Sequence, residues 1–222
     1  MNYKFKRIFV VVADSLGVGY EPDAEKYGDF GSNTLLHIAE NMPNGLSSEN
    51  LCALGINQLV NINGAVDKPH PNSYIMKSQE MSNGKDTMTG HWEMMGVHTT
   101  KPFMTFTDTG FPEELIKELE TRTGHKCIGN YSASGTQIIK DLGEQQLKDR
   151  SLIIYTSADS VLQIAGDEEA IGLEELYRCC EIAREICMKP EWMVGRVIAR
   201  PYVGTNKDNF KRVVAHRHDL AL

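Results

Sequence analysis

Apolar and polar positions along the 222-residue chain fall into two textures. In the first, Ile8-Phe9-Val10-Val11-Val12 is a short unbroken apolar run rich in β-branched side chains, which predicts a strand covered on both faces in a parallel sheet. It gives way to Ala13-Asp14-Ser15 and to Gly17 and Gly19. Ligands gather just beyond the carboxyl ends of such strands, so Asp14 either serves a ligand there or caps a turn. Ser32 or Asn33 can cap a helix through Leu35, Leu36, Ile38 and Ala39. After a looser stretch at 43–71, Ser73-Tyr74-Ile75-Met76 predicts a second, shorter strand, and residues 82–93 run from a turn into a helix start.

From about residue 100 the pattern alternates between amphipathic helices and strands, which predicts a second domain with Pro102, Gly110 and Pro112 at its entry. Phe111, Leu115, Ile116 and Leu119 keep helical spacing, with Gly124 just past the end. Leu173, Leu176, Tyr177, Cys180, Ala183 and Cys187 define another helix face. Residues 126–129, 152–155 and 194–199 read as strands, so a small, mainly antiparallel sheet packed by helices fits the order.

Composition narrows the class. With 41% hydrophobic and 24% charged residues the chain falls in the ordinary globular range. A net charge of −7 with scattered Lys and Arg argues against a duplex nucleic acid partner, which needs clustered cations to neutralise phosphates. The local cluster of Lys207, Lys211, Arg212, Arg217, His216 and His218 reads as a solvated loop or, in the competing reading, as a polyanion site. Likewise His216 and His218 read as a basic polar loop rather than a metal pair. Five cysteines, an odd number without a CxxC pair, read as reduced thiols of a cytoplasmic protein. Asp14 interrupts the first apolar run too early for a signal peptide, and no run reaches the ~18 apolar residues of a membrane span.

Candidate chemistry concentrates in Lys85-Asp86-Thr87-Met88-Thr89-Gly90, where a hydroxyl sits at a helix amino terminus. Backbone N–H groups there favour a phosphate. Thr87 needs a base or a metal to become a nucleophile, and Asp14 is the candidate ligand for a hard divalent cation that would supply this. The alternative is that Thr87 or Thr89 is simply a helix cap. The segment is not a Walker A loop, and Gly17 and Gly19 lack the third glycine of a dinucleotide fingerprint.

Four stretches together resemble the phosphopentomutase family, in family order and across almost the whole chain. They are Val-Val-Ala-Asp-Ser-Leu-Gly-Val-Gly at 11–19, Gly-Lys-Asp-Thr-Met-Thr-Gly-His-Trp-Glu at 84–93, Tyr-Thr-Ser-Ala-Asp-Ser-Val-Leu-Gln-Ile-Ala at 155–165 and Val-Gly-Arg-Val-Ile-Ala-Arg-Pro at 194–201. The resemblance implies an α/β fold: a partial alkaline-phosphatase-like core with a parallel sheet at 1–99, an α+β cap at 100–217 and a return to the core at 218–222. It implies two Mn2+ ions, with Asp14 as a ligand and Thr87 as the metal-bridged residue that bears the phosphoryl group. Ser157, Asp159, Val161, Arg196, Ile198 and Arg212 would line a pocket for ribose or deoxyribose phosphates, and a sugar 1,6-bisphosphate would keep Thr87 phosphorylated.

The family's remaining metal ligands lie beyond the cap, and none of the seven histidines stands in those motifs. A buried parallel strand needs neighbours on both edges, and 99 core residues supply few. The expectation is therefore a fragment whose core portion is sticky and self-associates. Two other readings compete. One is a related metal-dependent phosphatase or cofactor-independent phosphoglycerate mutase, which generally has serine where Thr87 stands. The other is a non-catalytic module that binds pentose phosphates through the cap.

Overall fold

The computed structural model describes residues 4–13, 15–46, 48–62 and 70–222, which divide into two compact units, Met1–Glu80 and Met81–Leu222. In the first unit, helix α1 (Thr34–Asn41) starts at Asn33, whose side-chain oxygen accepts from the Leu36 N–H at 3.3 Å. That bond satisfies one of the donors a helix start leaves open. Leu35 and Ala39, four residues apart and so on one face, pack with Val60 and Ile62, and Leu16, Val18, Leu46 and Ile56 close the cluster. Helix α2 (Glu49–Leu54) stops at Gly55, whose left-handed backbone turns the chain back onto the last carbonyls.

The strands expected at residues 8–12 and 73–76 do not form: neither segment pairs with a strand among the described residues. The side chains of 8–12 face solvent, Ile8 at 81% and Val11 at 90% exposed, and in 73–76 Tyr74 is 87% exposed while Ser73 and Ile75 are half-buried. Apolar, β-branched composition favours an extended backbone, but a strand persists only where neighbours take up its N–H and C=O groups. The first unit offers no such neighbour among its described residues.

The second unit is built on a six-stranded mixed sheet. Its strands are β1 (Cys127–Ser132), β2 (Leu152–Thr156), β3 (Val161–Asp167), β4 (Arg196–Val203), β5 (Lys211–Arg212) and β6 (His218–Ala221). The order is β1-β2-β3-β4-β5, with β6 also on β4. Pairs β1/β2 and β3/β4 are parallel and the other three of the five pairings are antiparallel. The three expected strands are thus present, each extended past its predicted end, and the helix-and-strand alternation does give a sheet packed by helices.

Alternation along the strands sends side chains to two cores. Helices α4 (Glu113–Thr123) and α6 (Leu173–Cys187) set Leu115, Leu119, Leu176 and Ala183 against Leu152, Ile154, Leu162, Ile164, Val197 and Ala199. Helix α5 (Gly135–Asp149) covers the other face, with Ile138 and Ile139 against Ile153, Tyr155, Ala165 and Tyr202. Burial on both faces is why β2 reads as a nearly continuous apolar run. The entry to α4 is fixed by Asn130, whose amide oxygen accepts from Phe111 N–H at 2.7 Å while its nitrogen donates to Phe111 O at 2.9 Å. Gly110 permits this approach, since a Cβ there would lie 2.2 Å from Asn130 O. No helix among the described residues is long and apolar enough to cross a membrane.

Helices α2 and α5 and strands β3, β5 and β6 lay outside the pattern reading. The apolar face of α5 is interrupted by Gly143, which packs against Phe210 so closely that a Cβ would meet the ring at 2.6 Å. Truncating the sheet centre should be costly and truncating the exposed run should not. Ile164→Ala removes a side chain with no exposed surface and should lower unfolding free energy by about 2–5 kcal/mol in urea titration. Val11→Ser should change it by less than about 0.5 kcal/mol.

Candidate active site

Helix α3 (Thr87–Met94) begins where the sequence places the candidate hydroxyl. Its cap is Asp86: one carboxylate oxygen accepts from Met88 N–H at 2.8 Å. Thr87 is therefore the first helical residue and is exposed, while Met88 and Thr89 point inward and are buried. The turn before it is held from behind by Glu93, whose carboxylate accepts from the N–H groups of Met81 at 2.8 Å and Ser82 at 2.6 Å. The side-chain hydrogen bond with Ser82, followed by that from Met81, holds the Glu93 carboxyl below its ordinary range. Gly84 lets the chain pass Pro102, whose Cβ would lie 2.8 Å from an added Cβ.

Opposite α3 lies the rim where β2 leaves the sheet and β3 and β4 enter it. The second oxygen of Asp86 accepts from Ser160 N–H at 2.9 Å, so the helix start and this rim share one carboxylate. Ser157 Oγ donates to Asp159 at 2.6 Å, and Asp159 pairs with Arg196. Arg196 also has its Nε buried without a partner. Val161 and Ile198, on adjacent strands, are buried beside these groups.

Period two along β4 puts Arg196, Ile198 and Arg200 on one face. Arg200 Nε donates to Gln163 at 2.9 Å. Beyond it, Arg200, Arg212, Arg217, Pro201, Val213 and Val214 line a cavity of about 230 Å³. Arg217 is already paired with Asp219. Tyr155, 1% exposed, has a hydroxyl without a hydrogen-bond partner, and a Cβ on Gly135 at the start of α5 would lie 2.6 Å from it and 3.5 Å from an Arg212 nitrogen. Burial pushes the Tyr155 phenol above its ordinary range although Arg200 and Arg212 pull the other way. Donors crowd this place and acceptors do not, which suits an anion.

Of the expected site residues, Thr87, Ser157, Asp159 and Arg196 stand on elements joined through Asp86 and Ser160, with Val161 and Ile198 next to them. Arg212 stands at the arginine-lined cavity instead. Asp14 lies outside the described residues.

Curated proteins with this arrangement of sequence were found in several clostridia and related bacteria. The chain is 60% identical to "Phosphopentomutase" of Clostridium perfringens over 219 residues, 58% identical to that of Clostridium botulinum and 57% identical to that of Agathobacter rectalis. Each match takes in 99% of this chain and 55% of the relative. The chain is homologous to phosphopentomutase. It spans about half the length of the curated relatives it matches. No family model matches it.

One group among the described residues could offer ligands to a metal ion: His125, Glu175 and Cys179, whose ligand atoms lie within 4.8 Å of one another. The donor set does not fit the manganese that phosphopentomutase resemblance implies, because a thiol with an imidazole suits a softer ion. These atoms are also engaged with each other and their neighbours. Glu175 accepts from Arg178 at 2.5 Å and faces His125 Nε2 at 2.9 Å, and the Cys179 thiol donates to it at 3.7 Å. Burial first, then the Glu175 charge, raises Cys179 to about 12, which keeps the thiol protonated. The cluster stands as a clasp between the end of α4 and the start of α6.

Three residues of this region were not singled out from sequence: Asp86, Tyr155 and Arg200. Signals existed for two of them, an acid immediately before a helix start and an arginine four residues from Arg196 on one strand face. Tyr155 had none, since it reads as an ordinary core aromatic.

The clasp gives a pH dependence. Hydrogen bonding to Arg178, then to His125, lowers Glu175 to about 2, so its contribution is full above the ordinary carboxylate range and is lost as pH falls towards about 2. Melting temperature followed from pH 5 to pH 2 should fall more steeply for the wild-type chain than for Glu175→Gln. Parallel curves would mean the clasp adds nothing.

Proposed function

We propose that this chain carries the phosphoryl-bearing threonine and the pentose phosphate pocket of a phosphopentomutase, with residues 1–99 as part of its core and 100–217 as its cap. The observation that carries this reading is the placement of Thr87. It is an exposed hydroxyl on the first residue of a helix, tied through Asp86 to the Ser157, Asp159 and Arg196 group, in a chain homologous to that family.

In this reading phosphorylated Thr87 gives its phosphoryl group to the free hydroxyl of a pentose monophosphate. The threonine P–O bond breaks, a P–O bond to the sugar forms, and the threonine oxygen takes up a proton. The resulting bisphosphate returns its other phosphate to Thr87. Open N–H groups at the start of α3 favour the negative charge borne at Thr87. Asp159, with Ser157 and Arg196 holding it, accepts hydrogen bonds from sugar hydroxyls, and Val161 and Ile198 form the apolar floor. Arginine forks at 196 and 212 take phosphate oxygens in a bidentate way. Asp14 and Thr87 would be among the residues that hold manganese, which when bound would polarise the transferring phosphoryl group and lower the pKa of the threonine hydroxyl. A sugar 1,6-bisphosphate restores the phosphothreonine. A cytoplasmic location belongs to the same reading and is supported by the free cysteines, which suit a reducing compartment.

The test is conversion of ribose 1-phosphate to ribose 5-phosphate with manganese and a sugar bisphosphate, comparing the chain with Thr87→Ala. The variant should lose about a thousandfold or more. Absence of turnover in both, with ribose 5-phosphate still bound, assigns the chain to pentose phosphate binding alone. Absence of both turnover and binding overturns the reading.

A further inference from the structure

The Asp86 carboxylate has two oxygens with two different tasks. One accepts from Met88 N–H at 2.8 Å and so starts α3; the other accepts from Ser160 N–H at 2.9 Å, seventy-four residues away in sequence. Ser160 is itself locked in place. Its hydroxyl donates to Met104 O at 2.5 Å and accepts from Gly195 N–H at 3.0 Å, and its carbonyl accepts from Arg196 N–H at 3.1 Å. The residue beside it, Asp159, holds Ser157 and Arg196. Met88 adds an apolar contact at the same point, its sulfur 3.6 Å from where a Gly195 Cβ would lie.

The direction of the first turn of α3 and the position of the β2–β3 turn are therefore set by a single side chain between them. Only a carboxylate does this. Serine caps a helix well but has one oxygen, and asparagine would set an NH2 group against the second N–H. We propose that Asp86 is a positioning residue, fixing the Thr87 hydroxyl against the turn that binds the sugar. This rests on the reading of Thr87 as the phosphoryl carrier.

The experiment compares the full chain with Asp86→Ser and Asp86→Ala by amide hydrogen exchange and by steady-state turnover. In Asp86→Ser, Met88 N–H should stay protected while Ser160 N–H exchanges about tenfold faster or more. Its kcat should fall about 10- to 100-fold, with KM for the pentose phosphate within about threefold, because a small misplacement slows transfer without removing binding groups. Asp86→Ala should lose both protections. Unchanged Ser160 protection in Asp86→Ser overturns the proposal, as does lost protection with kcat intact. Should the wild-type chain turn nothing over, the Thr87 reading fails separately, and added ribose 5-phosphate decides the proposal. Slower Met88 exchange in wild type, absent in Asp86→Ser, supports the coupling; no such slowing in wild type overturns it.

Discussion

Burial of β2, β3 and β4 on both faces is the constraint on which the second unit depends. Helices α4 and α6 take one face and α5 the other, and the alternation of side chains along each strand means that neither layer can be removed without exposing half the core. Once those strands are fixed, their ends are fixed too. The parallel pairing of β3 with β4 sets Val161 opposite Arg196, so the turn leaving β2 and the start of β4 meet at one rim of the sheet.

That rim concentrates polar groups because backbone leaves the sheet there. Ser160 answers the open groups of two segments, at Met104 and at Gly195 and Arg196, and Asp86 brings a third, the start of α3, to the same place. A hydroxyl on the first residue of a helix is otherwise unremarked and solvent-facing. What sets it apart is the acid before it, since Asp86 ties the helix start to Ser160, next in sequence to the Asp159 that pairs with Arg196.

Charge on this face runs against the net charge of −7 of the whole chain. Arg196, Arg200 and Arg212 are gathered where few carboxylates face them, with Asp159 and Asp219 already paired. Burial lowers the tendency of Arg200 to hold its proton, yet a guanidinium stays charged throughout the physiological range. Arg200, Arg212 and Arg217 line a cavity of about 230 Å³, and cations around so small a space suit a small anion better than a polyanion laid along a surface.

The sequence by itself determined the helix at Asn33, the helix opening at Thr87, the faces of α4 and α6 and three of the strands, because capping residues and side-chain periodicity are local properties. It also determined the kinship, since the motifs that carry it are contiguous. Other features were decided only by tertiary structure. Residues 8–12 have the composition of a strand, but pairing is a property of neighbours, and none is present among the described residues. Helix α5 was hidden because Gly143 serves a contact with Phe210 that sequence spacing cannot show. The union of Asp86 with Ser160, and of Tyr155 with Arg200 and Arg212, joins residues tens of positions apart. Only the folded sheet brings such groups together, and no local pattern encodes that.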